Sequence, residues 1–177
     1  MVMSLTQPLT ILGIDPGTVK MGWGVLRRRP SRLEHIDNGV VQAKPRDPLD
    51  KRLGAMHLGL VEVLTHFKPD VVVVEEVFVF KNPKSALHLG HARGVVLAGA
   101  ATAGIDVVSY STTRVKKTVT GTGRATKLQV QMMVKTLLML PEIPLEDAAD
   151  ALALSICHCH HETETTIRDR IATRARR

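Results

Sequence analysis

The sequence encodes a mixed α/β domain, a five-stranded sheet with helices on its faces. Three observations carry this reading. Up to Val41 the chain offers three short apolar segments divided by tight breakers, and the first two are close enough to form an antiparallel hairpin. From Leu49 onward, helical and strand-like stretches alternate. Between them, Val71-Val72-Val73-Val74 is apolar at every position, as a strand covered on both faces is.

Taken in order, residues 1–8 form a loose lead-in. Leu9 to Asp15 is the first strand, a Val/Ile/Leu-type run halted by Pro16-Gly17. Met21 to Leu26 is the second, Arg27-Arg28-Arg29-Pro30 a charged turn, and Leu33 to Val41 the third. Leu49, Leu53, Met56, Leu60, Val63 and Leu64 recur at helical spacing over Leu49 to Phe67, and Pro69-Asp70 ends that helix. The all-valine strand follows and runs into Glu75-Glu76. A second helix spans Pro83 to Ala103, with Pro at its start and Gly104 as its stop. Gly90, Gly94 and Ala98 form a smooth ridge on it, suited either to its own sheet or to another subunit. Ile105 to Tyr110 is the fifth strand. A short helix over Thr112 to Val119, a Gly121-Thr122-Gly123 loop and a helix over Ala125 to Leu140 come next. The last helix covers Glu146 to His160. The polar, basic tail from Glu162 to Arg177 is expected to be mobile.

With 177 residues, 44% of them hydrophobic, the chain suffices for one ordinary globular domain with a real core and is too short for two comfortable ones. The formal net charge of +7 favours a polyanionic partner. A membrane is disfavoured, because no apolar run reaches the roughly 18 residues a spanning helix needs. Met1 to Leu12 contains no basic segment followed by an apolar one, so no secretory signal is expected. Cys157 and Cys159, two residues apart, do not make a disulfide framework, so a reducing, cytoplasmic setting is expected. Cys157 to His161 supplies only one pair at helical spacing, too few ligands for a zinc site.

Acids stand where structure alone would not put them. Asp15 ends a core strand, and Glu75 or Glu76 ends another. Asp147 and Asp150 lie three apart on one face of the last helix, between alanines that let it sit close to a sheet. Burying one such carboxylate without a partner costs several kcal/mol. A set of them meeting in a cleft suits a hard divalent cation, which takes oxygen ligands. Two such ions could drive phosphodiester hydrolysis. Metal would then stabilise the fold by mass action. Phe78 and Phe80 follow the acids and could either fill the core or stack on an unpaired base. Lys116, Lys117, Arg124 and Lys127 form a cationic cluster suited to a DNA backbone.

These motifs together resemble the RuvC family of Holliday-junction resolvases. Ile11 to Gly17, Val74 to Phe78, Lys81-Asn82 through Gly94, and Asp147 to Ala153 match in order and spacing, within a similarity running from Leu9 to His160. The resemblance implies a ribonuclease H-like fold in one domain over residues 9–161, with strands 1–3 antiparallel and strands 4 and 5 parallel to strand 1. It implies Asp15, Glu75, Asp147 and Asp150 as catalytic and metal-binding acids, the glutamate directly after the apolar run being favoured over Glu76. It also implies two Mg²⁺ ions per site, with Mn²⁺ as a substitute. Phe78 is implied as a base-stacking residue, and Lys116 and Lys127 as contacts beside the scissile phosphate. The implied partners are a four-way DNA junction, a second copy of the chain in a homodimer, and the RuvA/RuvB branch-migration complex. An actin-like ATPase shares an Asp-x-Gly-Thr opening but needs a second related domain, for which there is no room. A silent junction-binding module would have no use for four acids.

Overall fold

In the computed structural model, the described residues are 8–30, 32–76 and 83–175; side chains are described over the same ranges except at residues 83, 84 and 162–175. Five strands make one sheet in the order β3-β2-β1-β4-β5. They are β1 (Leu9–Asp15), β2 (Lys20–Arg29), β3 (Arg32–Gln42), β4 (Val71–Glu75) and β5 (Asp106–Tyr110). The helices are α1 (Leu49–Phe67), α2 (Pro83–Thr102), α3 (Thr112–Thr120), α4 (Lys127–Leu138) and α5 (Glu146–Ala175). β1 pairs antiparallel with β2 and parallel with β4, and β4 pairs parallel with β5, so the expected mixed sheet is present.

Strand alternation divides the core in two. Leu12 and Ile14 of β1 and Val72 and Val74 of β4 pack with Met56, Leu60, Val63 and Leu64 of α1 and Val96 and Ala100 of α2. Leu9, Ile11, Val71 and Val73 point the other way, into Val115 and Val119 of α3, Val130 and Val134 of α4, and Leu152, Leu154 and Ile156 of α5. Val71 to Val74 is therefore apolar throughout because both faces are covered.

Two boundaries depart from the sequence reading by more than two residues. The expected charged turn at Arg27 to Pro30 is mostly strand: β2 continues to Arg29, and Arg28, opposite Leu9, is only 5% exposed. The helix expected to end at His160 continues to Ala175, since nothing from Glu146 onward is a Gly or Pro that would stop it. Among the described residues, no helix is long and apolar enough to cross a membrane.

Candidate active site

The same alternation that puts Leu9 and Ile11 under α5 puts Gly13 and Asp15 there. Along β4 it puts Glu75 on that face after Val71 and Val73. Ile14 pairs with Val74, so the next residues, Asp15 and Glu75, end neighbouring parallel strands at one sheet edge. Asp147 and Asp150 arrive because α5 lies on bare backbone. A Cβ at Gly13 would stand 2.0 Å from the Ala151 carbonyl oxygen, and one at Gly22 would stand 1.9 Å from that of Asp147. Ser155 Oγ fastens the helix by donating to the Gly24 carbonyl at 3.1 Å.

Asp15, Glu75 and Asp150 line one cavity of about 280 Å³, together with Thr112 and Lys116 of α3 and Lys127 of α4. Asp147 is half-buried beside it, near enough for its charge to act on both Asp15 and Asp150. Burial, followed by repulsion from Asp150, Glu75 and Asp147, pushes the Asp15 carboxyl from 3.8 up to about 7. Burial also raises Asp150 to about 6; Lys127 opposes that rise, and Glu75, Glu146 and Asp147 add to it.

Lys127 owes its place to the start of α4, where Thr126 and Gln129 form a capping box. The Thr126 hydroxyl accepts from Gln129 N at 3.2 Å, and Gln129 Oε1 accepts from Thr126 N at 2.8 Å. Lys127 Nζ is ion-paired with Glu146, which raises its pKa first, with Asp150 and Asp15 adding to the effect. The Thr112 hydroxyl donates to Glu75 Oε1. Arg93 of α2 donates from Nε to the Glu75 carbonyl at 3.2 Å and from Nη2 to Ser109 Oγ at 2.9 Å, tying the ends of β4 and β5 together. Thr112, Arg93 and Glu146 escaped the sequence reading. The one available signal was adjacency, Thr112 following strand five and Glu146 preceding Asp147.

Strand parity separates the two glutamates. Glu76 bonds through its N–H to the Tyr110 carbonyl at 2.9 Å, and alternation turns its side chain from the cavity that Glu75 lines. Lys117 and Arg124 are exposed and do not line that cavity. Phe78 and Phe80 lie outside the described residues. The donors suit a hard divalent cation, being anionic oxygens whose burial and mutual repulsion a cation would relieve. Among the described residues, no three acids, histidines or cysteines stand close enough to form a ready-made cage. An ion here would therefore take part of its shell from water and phosphate, as Mg²⁺ commonly does.

Comparison with known proteins agrees with this geometry. Residues 11–158 match the family model described as crossover junction endodeoxyribonuclease RuvC. The RuvC of Citrifermentans bemidjiense is 47% identical over 152 residues, 86% of this chain and 93% of that protein. The RuvC of Syntrophotalea carbinolica is 49% identical over 152 residues, 86% and 94% of the two chains. The solved structure of T. thermophilus RuvC in complex with Holliday junction substrate superposes with a TM-score of 0.81 at 35% identity, covering 89% of this chain and 97% of that one. With the sheet order, the converging acids and the match over most of its length in agreement, the chain belongs to the RuvC family of crossover junction endodeoxyribonucleases.

Proposed function

We propose that this chain resolves four-way DNA junctions by two symmetric, metal-dependent nicks in strands of like polarity. The observation that carries this is the meeting of acids from β1, β4 and α5 with Lys116 and Lys127 in one cavity, in a chain of this family. Asp15, Glu75, Asp147 and Asp150 would hold Mg²⁺, two ions per site, with Mn²⁺ able to replace it. When bound, such ions lower the pKa of the attacking water and neutralise charge at the phosphate.

The chain's own side chains do the rest. Lys116 and Lys127 set cations beside the scissile phosphate, where counter-charge is worth most in a water-poor cleft. Glu146 holds Lys127 at the cavity mouth, and Asp147 orients the attacking water. Thr112 and Arg93 engage the side chain and backbone of Glu75 and so favour the orientation in which its carboxylate lines the cavity. Phe78 is assigned to stacking on an unpaired base near the junction, by family resemblance.

Paired nicks need two sites, hence a homodimer. The exposed Gly90, Gly94 and Ala98 ridge on α2 supports this: a Cβ built at Gly90 or Gly94 meets no described residue within 4 Å, so the ridge is not packed on its own sheet. Leu87, 60% exposed, lies on the same helix. A RuvA/RuvB partner and a cytoplasmic setting follow from the resemblance. Nicking of a synthetic four-way junction, assayed beside an RNA–DNA hybrid of equal length, tests the proposal. Junction turnover without hybrid turnover is expected, and the reverse preference would reassign the chain to RNA–DNA hydrolysis.

A further inference from the structure

A second cavity, about 430 Å³, opens across α3 from the catalytic one and is lined by Arg114, Lys117, Thr118, Cys157, His160 and His161. Helix α3 serves both: Thr112, Val115 and Lys116 face the acids, while Arg114, Lys117 and Thr118 face the later turns of α5. The second cavity is opposite in charge to the first, with no carboxylate among its described lining residues. Along α5, His160 is ten residues beyond Asp150, which at about 1.5 Å per residue separates the two places by roughly 15 Å. A strand in the catalytic cavity and a phosphate in the second could therefore belong to one DNA molecule.

Arg114 is held rather than free. Its guanidinium carbon stands 5.2 Å from the centre of the Tyr110 ring, and Nη2 donates to His161 Nδ1 at 2.7 Å. Arginine has only donors, so Nδ1 accepts in this contact. His161 is braced in turn by an edge-on contact with Tyr110, their ring centres 5.7 Å apart. Tyr110 OH is itself 2.9 Å from Nδ1 of the buried His158. Thr118 Oγ1 is engaged by Cys157 Sγ at 3.6 Å. The cluster thus presents fixed guanidinium donors and the flexible Lys117 ammonium. Fixed donors of this kind recognise phosphate oxygens at low entropic cost. A zinc ion, by contrast, would meet two permanent cations.

We propose that this cavity is a second phosphate subsite, taking a backbone phosphodiester of a junction arm outside the cleaved strand segment. It rests on the nuclease reading for its ligand, yet its test needs no cleavage. Binding of a labelled four-way junction is measured in chelator against salt concentration, for the parent, Arg114→Gln, Lys117→Gln and the double variant. Both residues are exposed, so their replacement leaves the core intact. Losing one phosphate contact lowers the slope of log K against log salt by about 0.9. We expect a loss near that value in each single variant and a larger one in the double. Lys51→Gln, an exposed lysine on α1, is the control for simple net charge. Unchanged slopes in the Arg114 and Lys117 variants, or an equal loss in the Lys51 variant, would overturn the subsite. So would a His161 imidazole NMR signal that moves with inorganic phosphate but not with junction DNA. Failure of the parent to nick a junction in Mg²⁺ would instead count against the nuclease reading, and the two results are read separately.

Discussion

Replacing Asp15 with Asn should make the metal-free protein more stable, the reverse of what most buried substitutions do. The Asp15 carboxyl is pushed from its ordinary 3.8 up to about 7 in the fold, chiefly by burial and then by Asp150, Glu75 and Asp147. Between those two pH values the folded state keeps a proton that the unfolded chain has released. Stability therefore falls as pH rises through that window, and the loss is complete above about 7. At about 1.4 kcal/mol for each tenfold change, the gap corresponds to about 4 kcal/mol. That figure is a ceiling, because Asp150 shares the repulsion and the two carboxyls titrate as a set. Asn keeps the shape and removes the charge, so a gain of about 1–3 kcal/mol is expected at pH 8 in chelator. For a chain of this size that raises Tm by roughly 3–10 °C. At pH 4 the parent carboxyl is protonated in the fold and the gain should vanish. Thermal denaturation at the two pH values is the assay. An Asp15→Asn protein no more stable than the parent at pH 8 would refute the picture of a like-charged, water-poor cluster.

Three further outcomes follow from the same geometry. Millimolar Mg²⁺ should raise the parent Tm at pH 8 by mass action and raise that of Asp15→Asn less, as differential scanning fluorimetry would read; equal shifts would place the ion elsewhere. Gly22→Ala drives a Cβ to 1.9 Å from the Asp147 carbonyl oxygen, so α5 must back away from the sheet. A stability loss of about 1–3 kcal/mol is expected in denaturant titrations. A larger fall in the cleavage rate should accompany it at temperatures where the variant is fully folded. Lys127→Ala should slow single-turnover cleavage and lower the salt slope of junction binding by about 0.9, and an unchanged slope would deny the phosphate contact.

The features legible in the sequence are those written in local pattern. Apolar runs, helical spacing and Pro or Gly breakers together located the five strands and five helices seen among the described residues, and β1 and β4 end on acids that line the cleft. What stayed hidden depends on which elements become neighbours. Arg28 reads as part of a polar turn, because four consecutive charged or breaker residues look solvent-facing; only its pairing opposite Leu9 under α5 buries it. Thr112 and Arg93 are unremarkable in sequence and gain meaning only when β4, β5 and α2 meet at one edge. The choice between Glu75 and Glu76 came from family resemblance at the sequence level, and from strand alternation in the structure. Gly13 and Gly22 are ordinary strand glycines until α5 lies across them.

The most direct test of the proposed chemistry is single-turnover nicking of a labelled four-way junction in Mg²⁺ by the parent and by Asp15→Asn, with binding measured in parallel. Symmetric nicks by the parent, lost in the variant by at least about a hundredfold while junction affinity is retained, are expected if the acids act on the scissile phosphate. Comparable nicking by both proteins would contradict it.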